Sequence, residues 1–368
     1  MKYKIPLSKP YLNKTDFNEI KRCFDSTWIS SKSPWVEKFE HLFAEKISQT
    51  KFTVAVNSGT SALFLALKAL GIGPGDEVIL PTLTMVATIN AVVWTGATPV
   101  LVDSQSKQDW NISTNEIEKK ITKKTKAIIP VHLYGYLVDM KKILSIAKKY
   151  HLFIIEDAAE AMGSCIDGKN AGSFGDIACF SLYSNKIITT GNGGIVATNN
   201  KTVYQLIKQL EFFDFNKKKH FYHYQIGYNL VLSGLQAALG VSQISKFNKL
   251  LIKRRKIFNW YYQRLKNNPN LSFIEAKDQN PNYWFPAVIF NNPKTKNLTQ
   301  KKLTKAEVET RNFFIPLHQQ PVFQARFHGL SFPNAEYFSQ SGLLLPSFFD
   351  LSEKDIDYVC DIINSSFV

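Results

Sequence analysis

The sequence predicts an α/β protein with a large, mostly parallel sheet domain over 1–250 and a smaller C-terminal α/β domain over 251–368. Three observations predict it. Short apolar runs alternate with amphipathic helical runs from 52 to 156, the pattern of strands joined by crossover helices. The 368 residues, 45% of them apolar, exceed what a single core usually holds. A long helical stretch, closed by Asn-Asn-Pro at 267–269, then leads into a region of shorter elements.

Each element has its own signal. Phe52–Val56 is a buried strand by its apolar content, 61–70 a helix, and the Gly-Ile-Gly-Pro-Gly run at 71–75 its stop and turn. The alternation continues with a strand at 77–80, a helix at 85–95, Thr98–Val102, a helix at 114–121, a strand at 127–131, a helix at 139–150 and a strand at 153–156. Beyond Asp157 it lapses. Ile177–Ser181 and Gly194–Thr198 read as two further strands around a glycine-rich turn, and 235–265 carries apolar residues at helical spacing throughout. Internal repeats and low-complexity segments are absent.

Composition excludes several classes. With 45 Lys+Arg against 30 Asp+Glu the formal charge is +15, yet the lysines are scattered and no helix-turn-helix, RNP or zinc pattern accompanies them, so no nucleic-acid partner is expected. Their tightest cluster, Lys217, Lys218, Lys219 and His220, suits an anionic small molecule such as a nucleotide diphosphate. Cys23, Cys165, Cys179 and Cys360 lie far apart without a C-x-x-C pair and read as reduced thiols, not metal ligands. No apolar run has signal or membrane-spanning length, so a soluble, cytoplasmic protein without a membrane partner is expected.

Three places carry chemistry. The Asn-Ser-Gly-Thr-Ser run at 57–61 joins a strand directly to a helix and can present backbone N–H groups and hydroxyls to a phosphate, or serve as an ordinary capped helix start. Asp157 ends a buried strand, where open α/β sheets place ligands; its carboxylate suits a protonated ring nitrogen or caps the next helix. Lys186 lies between a strand end and the glycine-rich turn, either a crowded place in which an amine is freed for imine formation or an ordinary solvated surface charge. Together a phosphate cradle, an anion and an amine are what pyridoxal phosphate requires.

The chain also resembles the DegT/DnrJ/EryC1/StrS family of sugar aminotransferases. The matching segments are Trp-Ile-Ser-Ser at 28–31, Asn-Ser-Gly-Thr-Ser-Ala at 57–62, Gly-Pro-Gly-Asp-Glu-Val at 73–78, Pro-Val-His-Leu-Tyr-Gly at 130–135, Glu-Asp-Ala-Ala-Glu-Ala at 156–161, Asn-Lys-Ile-Ile-Thr-Thr-Gly at 185–191, Gly-Tyr-Asn at 227–229 and His-Gln-Gln-Pro at 318–321. The resemblance implies the type I, aspartate aminotransferase-like fold and pyridoxal 5'-phosphate, with pyridoxamine phosphate formed during turnover. It implies that Lys186 bonds the cofactor aldehyde and then moves the proton, and that Asp157 keeps the ring nitrogen protonated. Gly59, Thr60, Ser61 and Ser181 are implied as cofactor-binding residues, the last three at the phosphate. Asn229 would reach the phosphate from a neighbouring subunit of a homodimer, Glu160 would lie beside the phenolic oxygen, and His318 would stand at the sugar end of the pocket or cap its own loop.

The implied reaction moves an amino group from L-glutamate to C4 of a nucleotide-linked 4-keto-6-deoxy sugar, first of all GDP-4-keto-6-deoxy-D-mannose, giving GDP-perosamine for polysaccharide synthesis. UDP- or dTDP-linked sugars, amination at C3, and a catalytically idle ligand-binding protein of the same fold are the alternatives. Departures from the family pattern fall mainly around the substrate. Met85 stands where an aromatic residue usually covers the pyridine ring, a face that a thioether can also cover. Val231 replaces an arginine, Asn192 an acidic residue, Tyr136 a histidine and Asn312 a proline, while the Phe-Phe-Asp-Phe run at 212–215 replaces a glycine-rich turn.

Overall fold

The computed structural model describes residues 3–214, 219 and 221–367. Seven strands form the main sheet: β1 (Phe52–Val56), β2 (Glu77–Pro81), β3 (Thr98–Val102), β4 (Thr125–Ile128), β5 (Phe153–Asp157), β6 (Ile177–Ser181) and β7 (Gly194–Thr198). Their spatial order is β1-β7-β6-β5-β4-β2-β3, and only β7 runs against the others. The strands are buried almost end to end, because helices cover both faces of a parallel sheet.

The helices begin where the sequence places their caps. Asn13 and Asp16 form a reciprocal capping box at α1 (Lys14–Asp25), and Ser33 caps α2 (Pro34–Phe43). Ser58 caps α3 (Gly59–Ala69) by accepting from the Ser61 N–H, and Asp139 caps the helix Met140–Tyr150. Neither α1, α2 nor the helix Lys201–Leu210 was predicted; α1 and α2 pack on Gly234–Ile244 and thereby close one face of the sheet.

The continuous helix predicted at 235–265 is two helices, Gly234–Ile244 and Phe247–Leu265. The break falls at Ser245 and Lys246: the Ser245 hydroxyl donates to the Ser242 carbonyl, and the Lys246 ammonium is drawn to Asn13 and Asp16 of the α1 cap. The second helix spans two cores. Phe247, Leu250 and Leu251 pack with the main-sheet cluster, whereas Ile257, Tyr261 and Leu265 pack with Val288, Phe290, Leu343 and Val359.

That second cluster lies on a four-stranded antiparallel sheet of β8 (Leu271–Ser272), β9 (Ala287–Phe290), β10 (Arg311–Asn312) and β11 (Gly342–Leu344), ordered β8-β9-β11-β10. The N-terminal segment crosses to this sheet: the Ile5 N–H donates to the Glu307 carbonyl, the Leu7 N–H to Glu309, and Ile5 is buried in the same cluster. Segments from both sheets therefore meet above the carboxyl ends of β5 and β6.

Candidate active site

A cavity of about 330 Å³ opens where those strands end. Its floor is fixed by the strand that delivers Asp157. Just below, the Glu156 carboxylate accepts N–H groups of Gly172, Phe174 and Gly175, and His132 bonds it at 3.0 Å. The Val138 N–H donates to His132 Nδ1, so Nε2 carries the proton that bonds Glu156. The strand end is thus locked in place.

Ser58, Gly59 and Thr60 line one wall with Ser181. A helix cannot satisfy its own first N–H groups, and Ser58 engages the Ser61 N–H, which leaves those of Gly59 and Thr60 to the cavity. Close approach of backbone makes this cradle possible: a Cβ on Gly194 would lie 2.3 Å from the Ser58 carbonyl oxygen and 2.7 Å from the Gly59 nitrogen. Such a wall is built for an anion.

Asp157 is 5% exposed and lines the floor. Thr88 Oγ1 donates to its Oδ2 at 2.8 Å and the Ala159 N–H to its Oδ1 at 3.2 Å. Burial pushes its pKa above the ordinary carboxylate value, while these two donors and the charge of Lys186 hold it down. A cationic partner in the cavity would complete the set.

Lys186 and Glu160 line the same cavity. Withdrawal from water lowers the lysine pKa, opposed by the carboxylates of Glu160 and Asp157; Arg254 and Arg311 lower it further. Burial raises Glu160 to about 7, although Lys186 and the Tyr134 N–H, donated at 2.9 Å, favour its charged form. The Lys186 Nζ lies 3.9 Å from the centre of the Trp284 ring. Beside it, Asn185 Oδ1 is buried without a hydrogen-bond partner, an acceptor left open in the cavity wall.

Most of the predicted residues meet here. Gly59, Thr60, Met85, Asp157, Glu160, Ser181 and Lys186 all line the cavity. Met85 is 48% exposed at the start of the helix Val86–Trp94, and its sulfur accepts from the Ala87 N–H. Ser61 stands one layer back, its hydroxyl donating to Asn57 at 2.6 Å. Asn229 is exposed on the segment bridged to Phe212 and does not reach this chain's cavity.

His318 does not line it either. Its Nδ1 is bonded to Thr82 Oγ1 at 2.9 Å and its Nε2 to Glu336 at 3.1 Å, so it is a 7%-exposed clasp between two elements. Of the basic cluster, Lys217, Lys218 and His220 lie outside the described residues, as does Phe215 of the aromatic run. Thr88, Trp284 and Arg311 are among the cavity residues that the sequence did not point to. Thr88 had a faint signal, a hydroxyl within an otherwise apolar helical run; Trp284 and Arg311 come from the C-terminal sheet region and had none.

Amine, buried carboxylate and anion cradle thus open on a single space, with the unpartnered Asn185 acceptor among them. These residues fit pyridoxal phosphate. Among the described residues no cluster could hold a metal ion, and no helix is long and apolar enough to cross a membrane.

Comparison with known proteins agrees. The sequence profile of the DegT/DnrJ/EryC1/StrS aminotransferase family matches residues 10–364. The chain is 41% identical over 364 residues to GDP-perosamine synthase of Escherichia coli O157:H7, covering 99% of this chain and 98% of that one. It is 38% identical over 361 residues to GDP-perosamine synthase of Caulobacter vibrioides, covering 97% and 96%. Among solved structures, Spr1654 of Streptococcus pneumoniae, known in PLP and PMP forms, superposes with a TM-score of 0.93 at 26% identity, covering 99% of this chain and 98% of the other.

Proposed function

As the chain belongs to the DegT/DnrJ/EryC1/StrS aminotransferase family and is a pyridoxal-phosphate-dependent sugar aminotransferase of fold type I, we propose that it transfers the amino group of L-glutamate to C4 of GDP-4-keto-6-deoxy-D-mannose. The observation that carries this reading is the convergence of Lys186, Asp157 and the Gly59–Thr60–Ser181 wall on one cavity. The identity to two GDP-perosamine synthases supports the GDP-linked sugar.

Bound there, pyridoxal phosphate supplies an electron sink for the carbon that bears the transferred nitrogen. The chain's own residues do the rest. Lys186 Nζ would hold the cofactor through its aldehyde carbon and, as a free amine, would take the proton from the substrate carbon and return it. The Asp157 carboxylate holds a proton on the ring nitrogen, oriented by Thr88 and the Ala159 N–H. Gly59, Thr60 and Ser181 bind the phosphate, with Ser61 behind them fixing the loop. Glu160, with a pKa of about 7, would stand beside the phenolic oxygen and could exchange a proton near neutrality. Met85, which borders the cavity, would cover one ring face.

Arg311 supports a carboxylate donor. It lines the mouth of the cavity and makes no ion pair among the described residues, so a planar guanidinium is free to take a carboxylate from two sides. Donor and keto sugar would use the same space in turn.

We also read the enzyme as a homodimer. Tyr222, Tyr224 and Ile226 are exposed just before the exposed Asn229, an apolar strip that a second copy would cover while Asn229 reached that copy's phosphate wall. The division at residue 250 is our reading of where the second core begins along the helix Phe247–Leu265, and four free thiols suit a cytoplasmic setting. The deciding experiment compares turnover of GDP-, UDP- and dTDP-linked 4-keto-6-deoxy sugars with L-glutamate. Preference for the GDP sugar is expected; preference for another nucleotide would reassign the substrate, and no turnover on any would remove the proposal.

A further inference from the structure

We propose that Trp284 and Arg254 jointly set the position and protonation of the Lys186 amine: Trp284 by lying against it, Arg254 by pinning Trp284 and adding a buried positive charge. The inference rests on the reading of Lys186 as the proton-carrying amine. It concerns two residues outside the set that holds the cofactor.

The contact is built from both sides. Trp284 is 3% exposed and lies in the segment just before β9, with its ring centre 3.9 Å from the Lys186 Nζ. Its Nε1 donates at 3.1 Å to the carbonyl of Asn185, the residue next to the lysine. The indole therefore holds the lysine's backbone by its edge and the amine by its face. A π face stabilises the ammonium over the neutral amine, more strongly when water is excluded.

Behind Trp284 stands Arg254, on the helix Phe247–Leu265 and 6% exposed. One guanidinium nitrogen, Nη1, donates to the Trp284 carbonyl at 2.8 Å and to the Ser347 carbonyl at 2.7 Å. Among the described residues no carboxylate pairs with it, and burial pulls its own pKa down to about 10. Two carbonyl dipoles orient this charge without neutralising it, and because Arg254 and Lys186 line one crevice, its field opposes protonation of the amine.

The remaining groups around the amine complete the balance. Glu160 and Asp157 favour the ammonium and Arg311 opposes it across the cavity; Lys9, Lys253 and Tyr11 border a crevice on the far side, and Tyr183 lines the cavity. Trp284 and Arg254 thus pull in opposite directions. An amine that must be neutral to attack a carbonyl and charged to return a proton benefits from this opposition.

The test uses cofactor-free protein. Lys186 is acetylated with acetic anhydride across a pH series and its modification rate read by peptide mass spectrometry, with circular dichroism confirming the fold of each variant. W284L should lower the pH midpoint by about one unit and W284F by less, because a phenyl ring keeps part of the contact. R254Q, which retains a donor but not the charge, should raise the midpoint, and R254K should leave it near that of the unaltered protein. Movement of W284L and R254Q in the same direction, or no movement in either, overturns the proposal. Should R254Q not fold, equal midpoints for W284L and W284F overturn it by themselves. Because the reagent reports the amine directly, failure of the unaltered protein to bind pyridoxal phosphate would remove the proposed function and leave this result standing.

Discussion

Replacing Thr88 with valine removes one hydroxyl and almost no volume, and the structure fixes what should follow. Thr88 Oγ1 donates at 2.8 Å to the buried Asp157 carboxylate, one of two donors that hold it charged against burial. A hydrogen bond to a charged group contributes about 1.5–3 kcal/mol, which at roughly 1.4 kcal/mol per pKa unit raises the Asp157 pKa by about 1–2 units. In the holoenzyme the ring nitrogen would then lose its proton more readily, and the half-reaction with L-glutamate should slow by about 10- to 100-fold at neutral pH. Stopped-flow absorbance across pH reads both effects: the acid limb of the rate profile moves up by about 1–2 units, and T88S, which restores the donor, moves it back. An unchanged limb and rate in T88V would show that the hydroxyl does not support the carboxylate.

Other outcomes follow from the same geometry. Glu160 has a folded-state pKa of about 7, above its unfolded value, so its contribution to stability is present below about 4.5 and lost as pH rises through 7; E160Q should melt higher than the unaltered protein at pH 8 but not at pH 5, and should lack any rate limb near neutrality. Gly194→Ala places a Cβ 2.3 Å from the Ser58 carbonyl oxygen, and an overpacked backbone contact of this kind costs about 1–3 kcal/mol; thermal melts should show that loss, and fluorescence titration should show weaker binding of pyridoxal phosphate. Mixing K186A with N229A subunits should restore part of the activity if Asn229 serves a neighbour's site, whereas no recovery in demonstrated mixed dimers would confine Asn229 to its own chain.

The parts of the site that the sequence made legible are those carried by strand ends. Asp157 follows an unbroken apolar run, and the Asn-Ser-Gly-Thr-Ser segment joins strand to helix with only small residues, so their positions follow from local chemistry. Trp284 and Arg311 were not legible. They are brought to the cavity by packing of the second sheet region on the first, and neither periodicity nor turn chemistry records such long-range approach. The partners of His318 were not legible either, since Thr82 and Glu336 reach it from distant segments. The break at Ser245 and Lys246 leaves no mark in the sequence because apolar spacing continues across it, while the cause lies in the distant cap of α1.

The claim on which all else depends is that the Lys186 amine holds the cofactor. Reduction of the purified holoenzyme with borohydride, followed by peptide mapping, tests it most directly. The account predicts a phosphopyridoxyl group on Lys186; its appearance on another lysine, or on none in protein shown to contain the cofactor, would contradict it.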